Sequence, residues 1–356
     1  MSLLRYQVRA DNFTPFFTLA QRSWATGEFR SEKRGLLGNM KRLLGWSGCR
    51  SSGLCGCIPR MLGRNLHDSA SATCSLQYLP PIIGTATLPF DLTGSTALIT
   101  GGTQGVGAAI AIAIAGSGGN VVLHGLRDDD AAQQTLAACR AQGANADLLL
   151  GDLAGPTEDC IGRLFDSATA AHPEINMLVN NAGTYIDVPF LEMDFERYQR
   201  TMQLNVAAGF FLTQAFARRW VDRQARGRVL FTGSINGQLA EPDHVAYDSS
   251  KGAVLAMVKS LCVALAPHGI RVNGMAPGLV KTPLTGVLET DQDLDAWMRL
   301  HTPNGRVPEA SACGGAAVFL LSDEAEHVHG QMLLVDGGMS AWQQPDMPTQ
   351  LRGKLS

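Results

Sequence analysis

Tyr247 and Lys251 stand four residues apart in Tyr-Asp-Ser-Ser-Lys, thirteen residues after Ser234. On a helix that spacing places both side chains on one face. There an ammonium would favour the phenolate and draw the phenol pKa down from its ordinary value near 10. A phenol so placed can give a proton to a carbonyl oxygen as hydride reaches the carbon, or take one from an alcohol in reverse. Lys251 can also hold ribose hydroxyls. Ser234 adds a neutral hydroxyl able to bond the same oxygen and stabilise developing charge. Asn205, in Leu-Asn-Val, falls in a predicted helix interior, where Asn is a mediocre former and can bend the helix around water, giving Lys251 a proton path to solvent. Taken singly, Ser234 reads as a turn residue and Asn205 as a core polar residue, so the information lies in the ordered set.

A second group of residues suits a dinucleotide. Thr100-Gly-Gly-Thr-Gln-Gly-Val-Gly107 follows an apolar run and opens Ala108-Ala-Ile-Ala-Ile-Ala-Ile-Ala115, a strong helix former. Gly101, Gly105 and Gly107, with Thr103, Gln104 and Val106 on the same turn, let the backbone approach a pyrophosphate and offer N–H groups along a helix dipole. The competing reading is of ordinary turn glycines. Asp152 can accept from an adenine amino group while the Leu153 N–H reaches a ring nitrogen, or it can serve as N-cap of the next helix. Asn180-Asn181-Ala182-Gly183 closes a strand with small residues that would let a cofactor lie on the backbone, or serves a turn.

At the end of the second strand, an acid would hold the adenosine ribose hydroxyls and select NAD. Gly125 stands there instead, and Arg127 can form a charge-assisted bond to a 2′-phosphate, although Asp128, Asp129 and Asp130 blunt the local positive potential. NADP(H) is therefore favoured and NAD(H) stays open.

These motifs need a scaffold that brings strand ends together. Short apolar runs at residues 95–100, 120–126, 146–151, 176–180, 228–232, 271–275 and 331–335 alternate with helical stretches. That is the pattern of βαβ units, and it predicts a doubly wound α/β fold with a seven-stranded parallel sheet, helices on both faces and one cleft at the strand ends. Residues 89–345 form this expected single domain, with 346–356 as a tail.

Residues 1–88 differ, mixing Arg, Gly, Ser, Cys and aromatics without periodicity and ending near Pro80-Pro81. Three readings compete: an organelle transit segment, against which Asp11, Glu28 and Glu32 count; a small separate domain; and a true start downstream at Met40 or Met61, which is preferred. The chain of 356 residues has a net charge of −3, yet its first 80 residues hold eleven Lys/Arg and four acids, leaving 18 basic and 28 acidic residues beyond. An acidic body argues against nucleic acid as partner. No apolar run approaches the roughly twenty residues that cross a bilayer. Cys139, Cys160, Cys262 and Cys313 lack zinc or disulfide spacing, so no metal site and reduced thiols in a cytoplasmic compartment are expected; the organelle is the alternative if residues 1–88 are a genuine transit segment.

The glycine motif, Asp152, Asn180–Gly183, Asn205, Ser234, Tyr247 with Lys251, Asn273-Gly-Met-Ala-Pro-Gly278 and Val335-Asp-Gly-Gly338 stand in the order of one family. From about Phe90 to Met339 the chain resembles the short-chain dehydrogenases/reductases, particularly 3-oxoacyl-acyl-carrier-protein reductases and glucose 1-dehydrogenases. The resemblance implies a Rossmann-like domain, usually in a homotetramer. It also implies a small-molecule carbonyl or alcohol as substrate, and Asn205, Ser234, Tyr247 and Lys251 as catalytic tetrad. Pro277 and Gly278 would lie over the nicotinamide, with the Val280 backbone and the Thr282 hydroxyl meeting its carboxamide or a phosphate. Asn273 reads as a structural sheet-end residue, and Asp336-Gly-Gly as a subunit contact.

Specificity is expected after Pro277, at Leu284, Leu288, Trp297, Met298 and His301, and in the loop at residues 235–244. Trp297 and Met298 are expected mainly to pack a lid down. Asn236, Gln238, Glu241 and Asp243 tilt the pocket mouth toward polarity, which favours a sugar or polyol over a 3-oxoacyl thioester. His327-Val-His329 reads as a loop. The competing function is a non-catalytic dinucleotide-binding regulator of the same fold, which typically lacks the Tyr or the Lys.

Overall fold

The computed structural model describes residues 90–283, 285 and 291–341. The expectations for residues 1–88 and 346–356, and for Leu284 and Leu288, lie outside the described residues.

Seven parallel strands form one sheet: β1 (Thr96–Thr100), β2 (Asn120–Gly125), β3 (Ala146–Leu150), β4 (Met177–Asn180), β5 (Gly227–Thr232), β6 (Ile270–Pro277) and β7 (Met332–Val335), in the order β3-β2-β1-β4-β5-β6-β7. All seven predicted runs are strands. The largest difference is β6, which continues two residues past Met275 because Ala276 and Pro277 pair with Leu334 and Val335 of β7.

The strands inside the sheet are buried on both faces, the edge strands β3 and β7 only partly, and the alternation of their side chains divides the core in two. Ala97, Ile99, Val121, Leu123 and Val179 point into one layer, beneath α1 (Gly105–Gly116), α2 (Asp130–Ala141) and α8 (Gly314–Leu321). Leu98, Val122, Leu178, Val229 and Phe231 point into the other, beneath α3 (Thr157–Ala171), α5 (Ala208–Asp222) and α6 (Val245–Leu265). A parallel sheet covered on both faces reads as continuous apolar runs for this reason. Two further helices, α4 (Phe195–Met202) and α7 (Gln292–Leu300), follow β4 and β6 in the chain.

Alternation of strand and helix sends every crossover back to the same rim, and the order reverses between β1 and β4. There the chain opens a crevice at the strand C-terminal ends. Thr100 holds that point: its Oγ1 donates to the Val179 carbonyl (3.3 Å) and accepts from the N–H groups of Asn181 and Ala182 (each 3.0 Å).

Helix α6, with the turn after it, is long and apolar enough to span a bilayer over Val245–His268, a feature that run-by-run reading of the sequence misses. Ser250, Lys251, Val254 and Val258 are buried against the body, so one face of the helix packs on the sheet while residues such as Val263 stay exposed. Cys139, Cys160, Cys262 and Cys313 are unpaired, and burial pushes the thiols of Cys139 and Cys313 up to about 11.

Phe216 of α5 is fully buried and meets Phe165 edge-on at 5.2 Å and Trp220 at 5.6 Å. Phe216→Ala would leave a cavity beneath β4 and β5. We expect it to lower unfolding stability by about 3–5 kcal/mol in denaturant titration, against less than about 1.5 kcal/mol for Phe216→Leu if the site can close around the smaller side chain.

Candidate active site

The glycine turn joins β1 to α1 at the crevice. Gly101 adopts φ +60° and presses on Ala182, where a Cβ would lie 3.0 Å from the Ala182 Cα. A Cβ on Gly107 would overlap the Gly101 carbonyl and the Asn181 amide. That amide donates to the carbonyls of Thr100 (3.1 Å) and Gly101 (3.0 Å), so Asn181 braces the turn from β4. The N-cap of α1 is Gln104, whose side chain makes no capping bond. The first N–H groups of α1 therefore face the crevice without a side-chain acceptor, as an anion site requires. Thr282 reaches the same turn, its Cβ 3.5 Å from where a Gly105 Cβ would stand, so the segment after β6 closes over the glycines.

The adenosine end follows. A Cβ on Gly125 would stand 2.6 Å from the Thr103 Cγ2, so an acid at this position would displace Thr103 from the glycine turn. Arg127 is exposed just beyond. Two of the acids after it serve the start of α2: Asp129 caps it through the Ala132 N–H (3.0 Å), and Asp128 accepts from Gln133. Asp152 is not the N-cap of α3, which is Pro156; its Oδ1 instead accepts from the Ala154 N–H (2.8 Å) in a tight turn, leaving its outer oxygen exposed. These residues fit a dinucleotide: glycines where the backbone must be bare, unanswered N–H groups where a pyrophosphate would sit, and a cation where a 2′-phosphate would reach.

At the other end of the crevice, α6 begins at Val245, so Tyr247 and Lys251 do share a helix face, and the Lys251 Nζ stands 5.5 Å from the centre of the Tyr247 ring. Ser234 follows β5 and caps the short turn Ile235–Gly237 through the Asn236 N–H (3.1 Å), its hydroxyl donating to Asn236 Oδ1 (3.4 Å), and it lies close enough to the Tyr247 phenol to pull the phenol pKa down. Ser234 is thus both the turn residue and the phenol's neighbour. Asn205 sits in a π-helical segment, Gln203–Ala207, between α4 and α5. Its Oδ1 accepts from the Thr184 N–H (2.7 Å), and its Nδ2 donates to the Thr184 carbonyl (2.9 Å) and Ser250 Oγ (3.0 Å). The predicted bend is present, while the side chain itself is spent in tying the loop after β4 to α6.

One expectation is reversed. Lys251 does not draw the phenol down: its ammonium donates to the Thr232 carbonyl (3.1 Å). Burial raises the Tyr247 pKa; the nearby Ser234 hydroxyl pulls against that, and the carboxylates of Asp248 and Glu241 add to it. Burial likewise lowers the Lys251 pKa to about 8. Desolvation thus pushes both groups toward their neutral forms.

Sequence reasoning missed the aromatic partner of Tyr247. Tyr185 meets it edge-on, ring centres 5.1 Å apart, and its hydroxyl bonds His244, a residue predicted only as part of a loop. The signal was the position of Tyr185, two residues past Gly183. Trp297 does not pack a lid down: it is half-exposed and stacks on His301 at 4.0 Å, because α7 presents no fully buried residue. Asn273 is structural as predicted, donating to the Val328 carbonyl (2.6 Å) and accepting from the Gln331 N–H (3.0 Å). Asp336 packs on Gly278 and accepts from the N–H groups of Gly338 (2.9 Å) and Ser340 (2.8 Å). His327 and His329 lie in the turn before β7.

Comparison with known proteins agrees with this geometry. A family model described as enoyl-(acyl carrier protein) reductase matches residues 101–340. Gluconate 5-dehydrogenase of Gluconobacter oxydans is 34% identical over 254 residues, covering 70% of this chain and 96% of that protein. The NAD(P)+-dependent L-rhamnose 1-dehydrogenase of a Sphingomonas species is 33% identical over 250 residues, covering 70% and 97%. The crystal structure of a gluconate 5-dehydrogenase from Burkholderia cenocepacia with NADP and tartrate superposes with a TM-score of 0.66 at 32% identity, covering 71% of this chain and 98% of that one.

The Lys251 pKa falls on folding from an ordinary 10.5 to about 8, so between those values the unfolded chain binds more protons at this residue and its contribution to the stability of the cofactor-free protein rises with pH, against the opposite contribution of the raised thiols of Cys139 and Cys313. Measured from pH 8 to 10, the denaturant midpoint of the wild type should rise relative to that of Lys251→Met, in which the thiol contributions are unchanged; equal slopes in the two proteins would contradict the buried-ammonium assignment.

Proposed function

The chain belongs to the short-chain dehydrogenase/reductase family of NAD(P)-dependent oxidoreductases, and from that premise we propose that it moves hydride between NADP(H) and a secondary alcohol or ketone of a sugar or polyol. Tyr247 is the general acid and base of this reading. The observation that carries it is the Tyr247 ring and the buried Lys251 ammonium on one face of α6, 5.5 Å apart and beside Ser234, at the strand-end rim that also holds the glycine turn.

When bound, the nicotinamide supplies or accepts the hydride. The N–H groups of Gln104, Gly105, Val106 and Gly107 would take its pyrophosphate, with Gly101, Thr103 and Thr282 shaping the turn. Asp152 and Leu153 would hold adenine, Asn181, Ala182 and Gly183 would underlie the inner ribose, and Pro277, Gly278 and Val280 would cover the nicotinamide. Arg127, with no acid at Gly125, supports NADP(H) over NAD(H).

A phenol raised above its ordinary pKa is protonated at neutral pH, the form that donates to a ketone oxygen. Ser234 would share the same oxygen and hold charge there. In the oxidative direction the phenol must pass its proton on, and Lys251, near 8, is suited to relay it at mildly alkaline pH. The wide turn at Asn205 and the internal cavity lined by Asn180, Asn205 and Thr232 support a solvent path behind Lys251. The Asn180 Oδ1 and Thr232 Oγ1 are buried there without protein partners, the demand a buried water meets.

Polar residues Asn236 and Glu241 beside Ser234 support a sugar or polyol. The second reading, a 3-oxoacyl thioester, is supported by the likeness to a 3-oxoacyl-(acyl-carrier-protein) reductase from Agrobacterium tumefaciens with NADP bound, at 30% identity and a TM-score of 0.66. The same proposal includes a homotetramer, supported by exposed Phe195, Tyr198, Phe210, Phe211 and Val263 on α4, α5 and α6, and by Leu333 and Leu334 on edge strand β7. A cytoplasmic location rests on the unpaired cysteines alone.

Turnover with glucose or rhamnose and NADP⁺, and with acetoacetyl thioester and NADPH, tests the two substrate readings. Tyr247→Phe should reduce kcat by about 10²–10⁴-fold while leaving dinucleotide affinity intact; full retained activity would remove Tyr247 from the mechanism, and binding without turnover in the wild type would point to a regulator. Arg127→Ala should raise KM for NADP⁺ by about tenfold and leave that for NAD⁺ within twofold, as expected for loss of one charge-assisted phosphate bond.

A further inference from the structure

The rim beside Tyr247 is built of hydrogen-bond acceptors. His244, with only 8% of its side chain exposed, stands between two carboxylates: its Nε2 lies 3.3 Å from Asp187 Oδ1 and its Nδ1 3.3 Å from Glu241 Oε1. The Nε2 also meets the Tyr185 hydroxyl, and the Tyr185 ring rests edge-on against Tyr247. The Val188 N–H donates to the Asp243 carbonyl (3.1 Å), so the loop after β4 and the loop after β5 form one wall. Asn236 Nδ2 ties Glu241 (3.1 Å) to Asp248 (2.8 Å), and the Glu241 N–H donates to Asp248 as well (2.9 Å).

Two features suit this wall to a ligand. Asp187 and Glu241 keep 56% and 53% of their side chains exposed, so each carboxylate has lone pairs left over for solvent or substrate. The buried His244 Nδ1 has no hydrogen bond of acceptable geometry within the protein, despite its closeness to Glu241. Beside burial, the carboxylates of Asp187, Glu241 and Asp248 raise the Tyr185 pKa and those of Asp248 and Glu241 raise that of Tyr247, while the Lys251 ammonium is turned to the Thr232 carbonyl.

Resting on the sugar-or-polyol reading, we infer that the Asp187–His244–Glu241 wall makes this enzyme select uncharged polyhydroxylated substrates and reject their carboxylated counterparts. A hydroxyl can donate a hydrogen bond to the exposed carboxylate of Asp187 or Glu241, while His244 stays buried behind them. A substrate carboxylate only accepts, and it adds a like charge to a wall on which even a protonated His244 offsets one of three carboxylates. In a half-solvated cleft one such repulsion at contact distance is worth about a factor of ten in affinity.

The test uses the full chain with saturating NADP⁺ and pairs of substrates that differ by a carboxylate: glucose against gluconate, rhamnose against rhamnonate. The neutral member should have at least about tenfold higher kcat/KM. Added salt should improve the carboxylated member alone, since screening relieves only its repulsion. The double substitution Asp187→Asn with Glu241→Gln should shrink the ratio by about tenfold while NADP⁺ affinity, measured by titration, stays as in the wild type. A wild-type preference for the carboxylated member overturns the inference. So does a ratio that moves less than about twofold in a double variant that still binds NADP⁺. If that variant loses NADP⁺ binding, the wild-type ratio and its salt dependence decide alone. Tyr247-dependent turnover of an acyl thioester with neither sugar overturns this inference and leaves the family reaction standing; no Tyr247-dependent turnover of any alcohol or carbonyl overturns the proposed function as well.

Discussion

One hydroxyl holds together the point on which both halves of the cleft depend. Thr100 Oγ1 donates to β4 and accepts from the two N–H groups that follow it, Asn181 and Ala182, where the strand order reverses. At that reversal neighbouring crossovers leave on opposite faces, so the backbone beyond the strands has no helix to cover it and must be satisfied locally. Thr100 and the Asn181 amide do this together, and in doing so they fix the glycine turn against the end of β4. The dinucleotide cleft is shaped by this tie before any ligand enters.

Burial sets the chemistry at the other end. Tyr247 and Lys251 are two groups whose charged forms are both disfavoured by desolvation, and no strong ion pair between them restores either charge. The lysine spends its proton on the Thr232 carbonyl, at the end of β5, which also delivers Ser234 to the phenol. The three side chains therefore converge through one strand end and one helix face, and Asn205 reaches the same helix through Ser250. The π-helical turn at Asn205 gives that side chain its reach, because the extra residue rotates it toward the loop after β4.

The substrate side obeys a different constraint. Loops after β4 and β5 are joined by a single backbone bond and by carboxylates around His244, so polarity at this rim belongs to a network and not to independent surface residues. Asn236 and Glu241 were legible as polar neighbours of Ser234, but the roles of Asp187 and Tyr185 depend on contacts between segments about sixty residues apart, which no local pattern reports.

What the sequence by itself determined is the set of features that repeat with a local period or a short spacing. Apolar runs separated by helical stretches marked the seven strands, and Tyr-x-x-x-Lys on a helix marked one shared face, because side-chain direction follows directly from backbone geometry. Glycines ahead of an Ala/Ile-rich helix marked the turn for the same reason. Tertiary structure alone decided that Lys251 turns to Thr232, that the phenol is raised and not lowered, that Asp152 closes a turn instead of capping a helix, and that His244 lies between Asp187 and Glu241. Each of these depends on desolvation or on partners brought together by the crossovers, and both are properties of the packed chain that no window of residues contains.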